Sequence, residues 1–349
     1  MTINTMRAVV LHGKENVAIE EVPVLSPGVG EVRIKVERAL TCGTDVKVFR
    51  RGHHARMIQP PALFGHEFAG VIEAVGSDVD EWNVGDRVVA ANSAPCDNCF
   101  YCLHGRQELC EDLLFFNGAF AERAIIPGRI AAKNMLRVSS NTPLECAAMC
   151  EPLACVVRSL ELAPVEPGST VVVLGLGPIG LMFVRLCVLA GCSVIAVGRR
   201  EARLRLASKF GATETLNIDE QDDVVSKVRD CTPGTFGADV VIEAIGTPEA
   251  WSSAIAMVRK AGTVNLFGGC SAGSTITLDT ARLHYDEVTL RASFHHTPTS
   301  FRRALQLISN SEVKAPSLIS THISLDEVPR ILRELADGEL DIIKACVVS

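Results

Sequence analysis

The sequence predicts an α/β protein, with a doubly wound parallel sheet in the middle of the chain joined to a second, β-rich unit. Three observations carry that expectation. From Pro167-Gly168 onward, short all-apolar strands alternate with amphipathic helices, the pattern of a parallel sheet covered on both faces. Up to about residue 130 the chain reads instead as half-buried strands cut by turn clusters. And 349 residues, 48% hydrophobic and 21% charged, supply cores for two ordinary domains, which excludes disorder and fibrous repeats.

The elements follow in order. After the turn cluster LSPGVG, Val32, Ile34 and Val36 alternate with Arg33, Lys35 and Glu37, the period of a strand with one buried face. FAGVIEAVG (68–76) and RVVAAN (87–92) are strands of the same barrel-like unit. Thr142-Pro143 opens a helical stretch near 143–160, with proline at the first helical position, and Glu151-Pro152 is expected to break it. TVVVLG (170–175) is a buried strand, followed by a helix with Ile179, Met182, Phe183 and Leu186 on one face. SVIAVG (193–198), a helix over 201–210 stopped by Gly211, and strands at 238–246 and 263–269 continue the alternation. Phe301, Ala304, Leu305 and Ile308 mark a further helix. Another around 326–337 ends at Gly338, and IIKACVV closes the chain as a strand. Periodicity does not assign this tail to either unit.

Composition narrows the function. The net charge is −7, and two Trp and two Tyr are too few for a base-stacking surface, so neither nucleic acid nor an anionic membrane is an expected partner. The apolar stretch 170–198 is interrupted by Gly, Pro and Arg185 and does not read as a membrane span. The N-terminal residues lack the pattern of a secretory signal, and an odd thirteen cysteines argue against a disulfide framework. A soluble cytoplasmic protein is expected.

Three motifs carry chemistry. In GLGPIG, Gly175, Gly177 and Gly180 lie between a buried strand and a helix that begins Pro178-Ile179. There the glycines permit a tight turn, close approach to a pyrophosphate and helix–strand packing, while the helix N-terminus offers N–H groups to the anion. At the end of the next strand, where an acidic residue would bind an adenosine ribose, stand Gly198, Arg199 and Arg200. A small residue followed by guanidinium groups suits a 2′-phosphate, which favours NADP(H) over NAD(H). Cys96, Cys99, Cys102 and Cys110 place four thiols in a polar loop, suited to a closed structural zinc site. A 4Fe–4S cluster or chance clustering of thiols are the alternatives. The third set is dispersed: Cys42 before Gly43-Thr44-Asp45, His66 and Glu67 after a Pro-Pro turn, and Glu151. Together they offer a thiolate, an imidazole and two carboxylates to a zinc with an open position, although each has an ordinary structural reading when taken singly.

GHEFAGVIEAVGSDV (65–79) resembles the signature of zinc-containing alcohol dehydrogenases of the medium-chain dehydrogenase/reductase family. Gly65, His66, Glu67, Gly70, Gly76 and Val79 all fall at its positions. The four-cysteine lobe, Cys42-Gly43-Thr44-Asp45 and GLGPIG match in order and spacing, so the resemblance spans the chain. EPLACV (151–156) is similar to the polyol (sorbitol-type) and threonine dehydrogenase branch.

The resemblance implies a GroES-like catalytic domain formed by 1–155 and 295–349 around a Rossmann domain at 156–294. It implies catalytic-zinc ligands Cys42 and His66, with Glu67 and Glu151 as third and alternating ligands. Thr44 would take the substrate proton, and Asp45 would fix the His66 tautomer. The four cysteines of the lobe would hold a second, structural zinc. Pro178 and Ile179 would join the glycines, Gly198, Arg199 and Arg200 at the dinucleotide. A homodimer or homotetramer is implied as well. Many relatives carry a relay histidine three residues after the Thr, where this chain has Lys47; His53, His54 or water itself would then take the proton.

The expected reaction is reversible oxidation of a secondary hydroxyl to a ketone with hydride transfer to the nicotinamide. A polyol or sugar derivative is favoured by the carboxylates beside the metal. Phe49, Phe115, Phe116 and the segment 294–298 are expected to line the pocket, with His295 and His296 either substrate ligands or surface residues. The competing readings are a threonine or simple secondary-alcohol dehydrogenase, and a dinucleotide-binding protein without turnover that keeps only structural zinc.

Overall fold

The structure, a computed structural model, describes residues 4–348. They group into two compact units. One holds the chain up to Ala154 together with His296 onward, and the other holds Cys155–His295.

In the first unit the alternation of Val32, Ile34 and Val36 becomes the strand Val32–Leu40, whose apolar face packs with Phe64, Phe68 and Phe120 in a common core. This strand pairs antiparallel with Glu67–Val75, which pairs in turn with Arg87–Ala90. On its other side it pairs with the late strand Lys344–Val348, which runs parallel to Ile319–Ser324. The tail that periodicity left unassigned therefore inserts into the sheet that carries His66 and Glu67. A second sheet orders Asn16–Pro23, Thr5–Gly13 and Ala62–Leu63.

Several short helices were not legible in this half. The helix Gly43–Arg51 starts two residues after the strand Val32–Leu40 ends, and it buries Val48 and Phe49 against the barrel. Phe49, expected at a pocket wall, is a core residue with 2% of its surface exposed.

The second unit is a six-stranded sheet in the order Glu214–Asn217, Ser193–Gly198, Thr170–Leu174, Ala238–Glu243, Val258–Leu266, Thr289–Ala292, every pair parallel. Val172, Leu174, Ile195, Val197, Val241 and Val264 fill its core. The helices Pro178–Leu189 and Glu201–Phe210 stand where the apolar spacing put them.

One boundary differs from expectation. The helical stretch after Pro143 breaks at Ala148-Met149, and Glu151-Pro152 fall in the first turn of the helix Cys150–Leu162. A first-turn proline withdraws an N–H that has no intrahelical partner anyway, so it starts a helix more readily than it stops one.

Candidate active site

Local sequence builds the first part of the site. Cys42 is the N-cap of the helix Gly43–Arg51, and its Sγ accepts the Thr44 amide N–H at 3.4 Å. Asp45, three residues on, accepts the Cys42 N–H at 2.9 Å, which completes a capping box with cysteine in the place of serine or threonine. A thiol at this position faces the positive end of the helix, yet burial and the neighbouring Glu67 charge raise it above the usual thiol range, against the pull of His66 and Lys344. The same Asp45 lies 2.9 Å from His66 Nδ1 through its other oxygen, with both side chains almost fully buried. The imidazole is thereby held with Nε2 turned to the remaining neighbours. Burial works against a charged His66, but Asp45 and Cys42 outweigh it and hold its pKa well above the usual range.

Glu67 follows His66 at the start of the strand Glu67–Val75 and is fully buried. Its Oε2 is paired with the ammonium of Lys344, which also donates to the Thr41 carbonyl at 3.0 Å. Its Oε1 is buried with no hydrogen-bond partner. An orphaned carboxylate oxygen in a buried site needs a cation. One ligand atom from each of Cys42, His66 and Glu67 lies within 4.8 Å of the others. The donor set is thiolate, imidazole and carboxylate, and its unmet oxygen fits a zinc ion.

Glu151 stands outside this close trio. Burial raises its carboxyl to about 7, with His66 drawing it down and Glu67 pushing it up. Its Oε1 lies 3.8 Å from Nε2 of His296, a nitrogen that also meets Asn92 Oδ1 at 3.1 Å. Burial and the nearby His66 charge depress His296 to about 3, so its ring is neutral. His296 is thus a buried neighbour of the site rather than a surface residue. Lys344 and Asn92 escaped the sequence analysis altogether. Asn92 gave no signal. Lys344 gave one: a single charge inside the apolar run IIKACVV.

The four-cysteine lobe is compact. Cys96 and Cys110 Sγ atoms lie 3.5 Å apart, Cys99 and Cys110 3.9 Å, Cys96 and Cys102 4.0 Å. Four sulfurs at about 2.3 Å from one zinc ion would be separated by roughly 3.8 Å, so the set already has tetrahedral spacing. Backbone amides point at the sulfurs, the Cys96 N–H at Cys110 Sγ among them. Hydrogen bonds from the Cys102 and Glu111 backbone lower Cys99 to about 6, whereas burial and the neighbouring Cys99 raise Cys102 to about 12.

In the second unit, the ends of the strands Thr170–Leu174 and Ser193–Gly198 open on a cavity of about 490 Å³. Gly175 has φ 101°, and a Cβ on Gly180 would lie 1.8 Å from the Gly175 carbonyl oxygen, so helix and strand meet backbone to backbone. Gly177 is the N-cap of the helix that begins with Pro178 and Ile179, and it has open space where a Cβ would stand. Gly198, Arg199 and Arg200 line the same cavity, joined by Arg203, one turn further along and missed in the sequence. Gly198 has a second reason to be small. A Cβ there would lie 2.8 Å from the Leu176 side chain, so packing as well as phosphate room excludes a larger residue.

Comparison with known proteins agrees with both halves. A family profile described as alcohol dehydrogenase GroES-like domain matches residues 28–135, and one described as zinc-binding dehydrogenase matches 178–310. A sorbitol dehydrogenase of Bacillus subtilis is 30% identical over 349 residues, covering 98% of this chain and 97% of its own. An L-threonine 3-dehydrogenase of the same organism is 33% identical over 335 residues, 94% of each chain. The structure of a zinc-binding dehydrogenase from Sinorhizobium meliloti bound to NADP superposes with a TM-score of 0.91 at 31% identity, covering 99% of this chain and 100% of that one. A buried donor trio beside a GroES-like barrel, a zinc-shaped cysteine lobe and a glycine-lined dinucleotide cavity are thus accounted for together: the chain belongs to the zinc-binding dehydrogenases, in the polyol and threonine dehydrogenase branch, and is a zinc-dependent alcohol oxidoreductase.

Proposed function

We propose that the chain oxidises a secondary alcohol of a polyol or sugar derivative reversibly to the ketone, with NADP as coenzyme. In this reading Cys42 and His66 would hold the catalytic zinc, with Glu67 and Glu151 as third and alternating ligands. Cys96, Cys99, Cys102 and Cys110 hold the structural zinc. The first unit carries the chemistry and the second the dinucleotide, at Gly175, Gly177, Pro178, Ile179, Gly180, Gly198, Arg199 and Arg200. The observation that carries this reading is Glu67, with one oxygen on Lys344 and the other unpartnered beside a thiol and an imidazole.

Zinc bound there supplies Lewis acidity toward the substrate hydroxyl, and NADP is the hydride acceptor. The chain's own residues do the rest. Asp45 keeps the His66 ring in one tautomer and orientation. Lys344 pins one Glu67 oxygen so that only the other is free to move toward a ligand position. Thr44, in the first turn beside Cys42, takes the substrate proton. His54 Nδ1 is engaged by two backbone amides, which leaves His53 or water to take the proton from Thr44. No disulfide joins the described cysteines, which suits a reducing, cytoplasmic compartment, and a homodimer or homotetramer belongs to the same reading.

The test is zinc per chain, counted by mass spectrometry, on wild type and Cys42→Ala, alongside a screen of polyols with NADP. Two ions falling to one, with loss of turnover, is the expected result. A single ion indifferent to the substitution would remove the catalytic metal and the reading with it.

A further inference from the structure

A groove of about 460 Å³ in the first unit is lined by the helix Pro298–Ser309, by the Asn310 that caps it, and by the end of the strand Met135–Arg137. Three of its lining residues are arginines, Arg137, Arg302 and Arg303, and none is acidic. They come from distant parts of the chain and meet only through the fold. In a chain of net charge −7, three guanidinium groups around one groove make a local field of the opposite sign, which concentrates anions there.

The partners these arginines already have are few. Arg137 donates to the Glu81 carbonyl, lies 3.1 Å from the Asp86 carboxylate and stands 4.6 Å from the centre of the Trp82 ring. Asp86 therefore answers Arg137. Arg302 reaches the Lys133 carbonyl at 3.3 Å, and Arg303 the Gln306 side-chain oxygen at 3.5 Å, one turn along its own helix. Neither Arg302 nor Arg303 forms an ion pair among the described residues, and both are exposed. The nearest acid in sequence, Glu312, accepts from the Asn310 side chain at 3.0 Å and does not line the groove.

The other groups on this face suit the same kind of ligand. Arg302, Leu305, Gln306 and Ser309 stand at i, i+3, i+4 and i+7, one side of the helix. Gln306 turns its oxygen to Arg303, which leaves its amide N–H groups as donors. The Ser309 hydroxyl accepts from Thr142 at 3.3 Å and has its own proton to give. Leu136 and Leu305, both half-buried, supply an apolar wall. A groove of this size takes a small organic molecule rather than a bare ion. A phosphoryl group, with more charge and more acceptor oxygens than a carboxylate, uses more of these donors.

We propose that this groove binds a small phosphorylated molecule, with its phosphoryl oxygens on Arg302, Arg303 and Arg137 and its carbon skeleton against Leu136 and Leu305. The site stands apart from the dehydrogenase reading, since it shares no residue with the metal-donor sets or with the dinucleotide cavity. Its helix nevertheless reaches toward the reaction centre. The N-cap Thr297 follows His296, and the buried Phe301 ring lies 5.8 Å from the His296 ring.

The experiment titrates phenyl phosphate and benzoate into the zinc-replete chain saturated with NADP, by calorimetry, with sodium chloride at matched ionic strength as the blank. Phenyl phosphate is expected to bind with a Kd of about 1 mM or lower, and benzoate about tenfold more weakly or worse. In the double variant Arg302→Gln, Arg303→Gln the Kd for phenyl phosphate should rise about tenfold, with the melting temperature unchanged because neither guanidinium holds an ion pair. Should the double variant prove unstable, Arg303→Gln alone, whose side chain reaches only its own helix, should raise the Kd about threefold. In a Trp251→Phe background, the remaining Trp82 should change its emission as Arg137 is drawn to the anion. An unchanged Kd in the arginine variants would give the anion to the dinucleotide cavity or a metal site and overturn the proposal. Benzoate binding as tightly as phenyl phosphate, or no heat beyond the chloride blank, would overturn it as well.

Discussion

Two regions of this chain gather candidate metal ligands in opposite ways. The cysteine lobe draws four donors of one kind from residues 96–110, and their sulfurs all lie within 4.8 Å of one another. The trio of Cys42, His66 and Glu67 mixes three kinds of donor from a helix cap and a sheet strand, and one carboxylate oxygen depends on a lysine 277 residues away. Four like donors that close a tetrahedron leave nothing for a substrate, whereas three unlike donors leave an opening. The difference is one of purpose, and it can be broken experimentally.

The largest contrast comes from exchanging the two losses. Cys42→Ala should cut kcat/KM by about 10³-fold or more while the melting temperature barely moves. Cys102→Ser should do the reverse, lowering the melting temperature by several degrees because a closed site contributes folding energy outright. A Cys102→Ser protein that melts like wild type would take the structural role away from the lobe. Next in size is Lys344→Met. It leaves the Glu67 carboxylate buried without its counter-charge, so stability should fall by about 3–5 kcal/mol in urea unfolding. If the loss is under about 1 kcal/mol, Glu67 is not held by that pair.

Asp45→Asn should come third. It keeps the shape of the cap but weakens the hold on His66, and the apparent zinc affinity of the catalytic site should drop about 10–100-fold in chelator competition, while the lobe keeps its ion. The smallest effect belongs to the second unit, where Gly198→Asp should move the NADP-to-NAD preference toward NAD by about tenfold through repulsion of the 2′-phosphate. Since a Cβ there meets Leu176, the double variant with Leu176→Ala separates charge from packing. A preference restored by the second substitution would mean that packing, not phosphate repulsion, had shifted it.

The same contrast explains what could be read without a structure. The lobe is legible because its ligands are neighbours in sequence, and the glycine motif because its neighbours are a buried strand and a helix start. The trio became legible only by resemblance, since spacing does not say that residues 42 and 66 lie at the adjoining ends of two paired strands. Lys344 and Asn92 were not assigned to the site because each is brought there by a distant strand or segment, and an isolated lysine or asparagine has too many other uses; His296 could be named only as one of two alternatives, a substrate ligand or a surface residue. Helix starts were the weak point of the local reading. Cys42 caps a helix that local patterning did not show, and Pro152 looked like a stop but stands in a first turn.

The separation of Glu67 from Lys344 also sets a clock on the newly made chain. At about 5–20 residues per second on a ribosome, the four cysteines of the lobe emerge within roughly 1–3 s of one another. Lys344 follows Glu67 by roughly 14–55 s at the same rates. During that interval the strand Val32–Leu40 also lacks its neighbour Lys344–Val348. The four thiols of the lobe are thus together early in synthesis, whereas Glu67 gains its counter-charge only with the last strand of the chain.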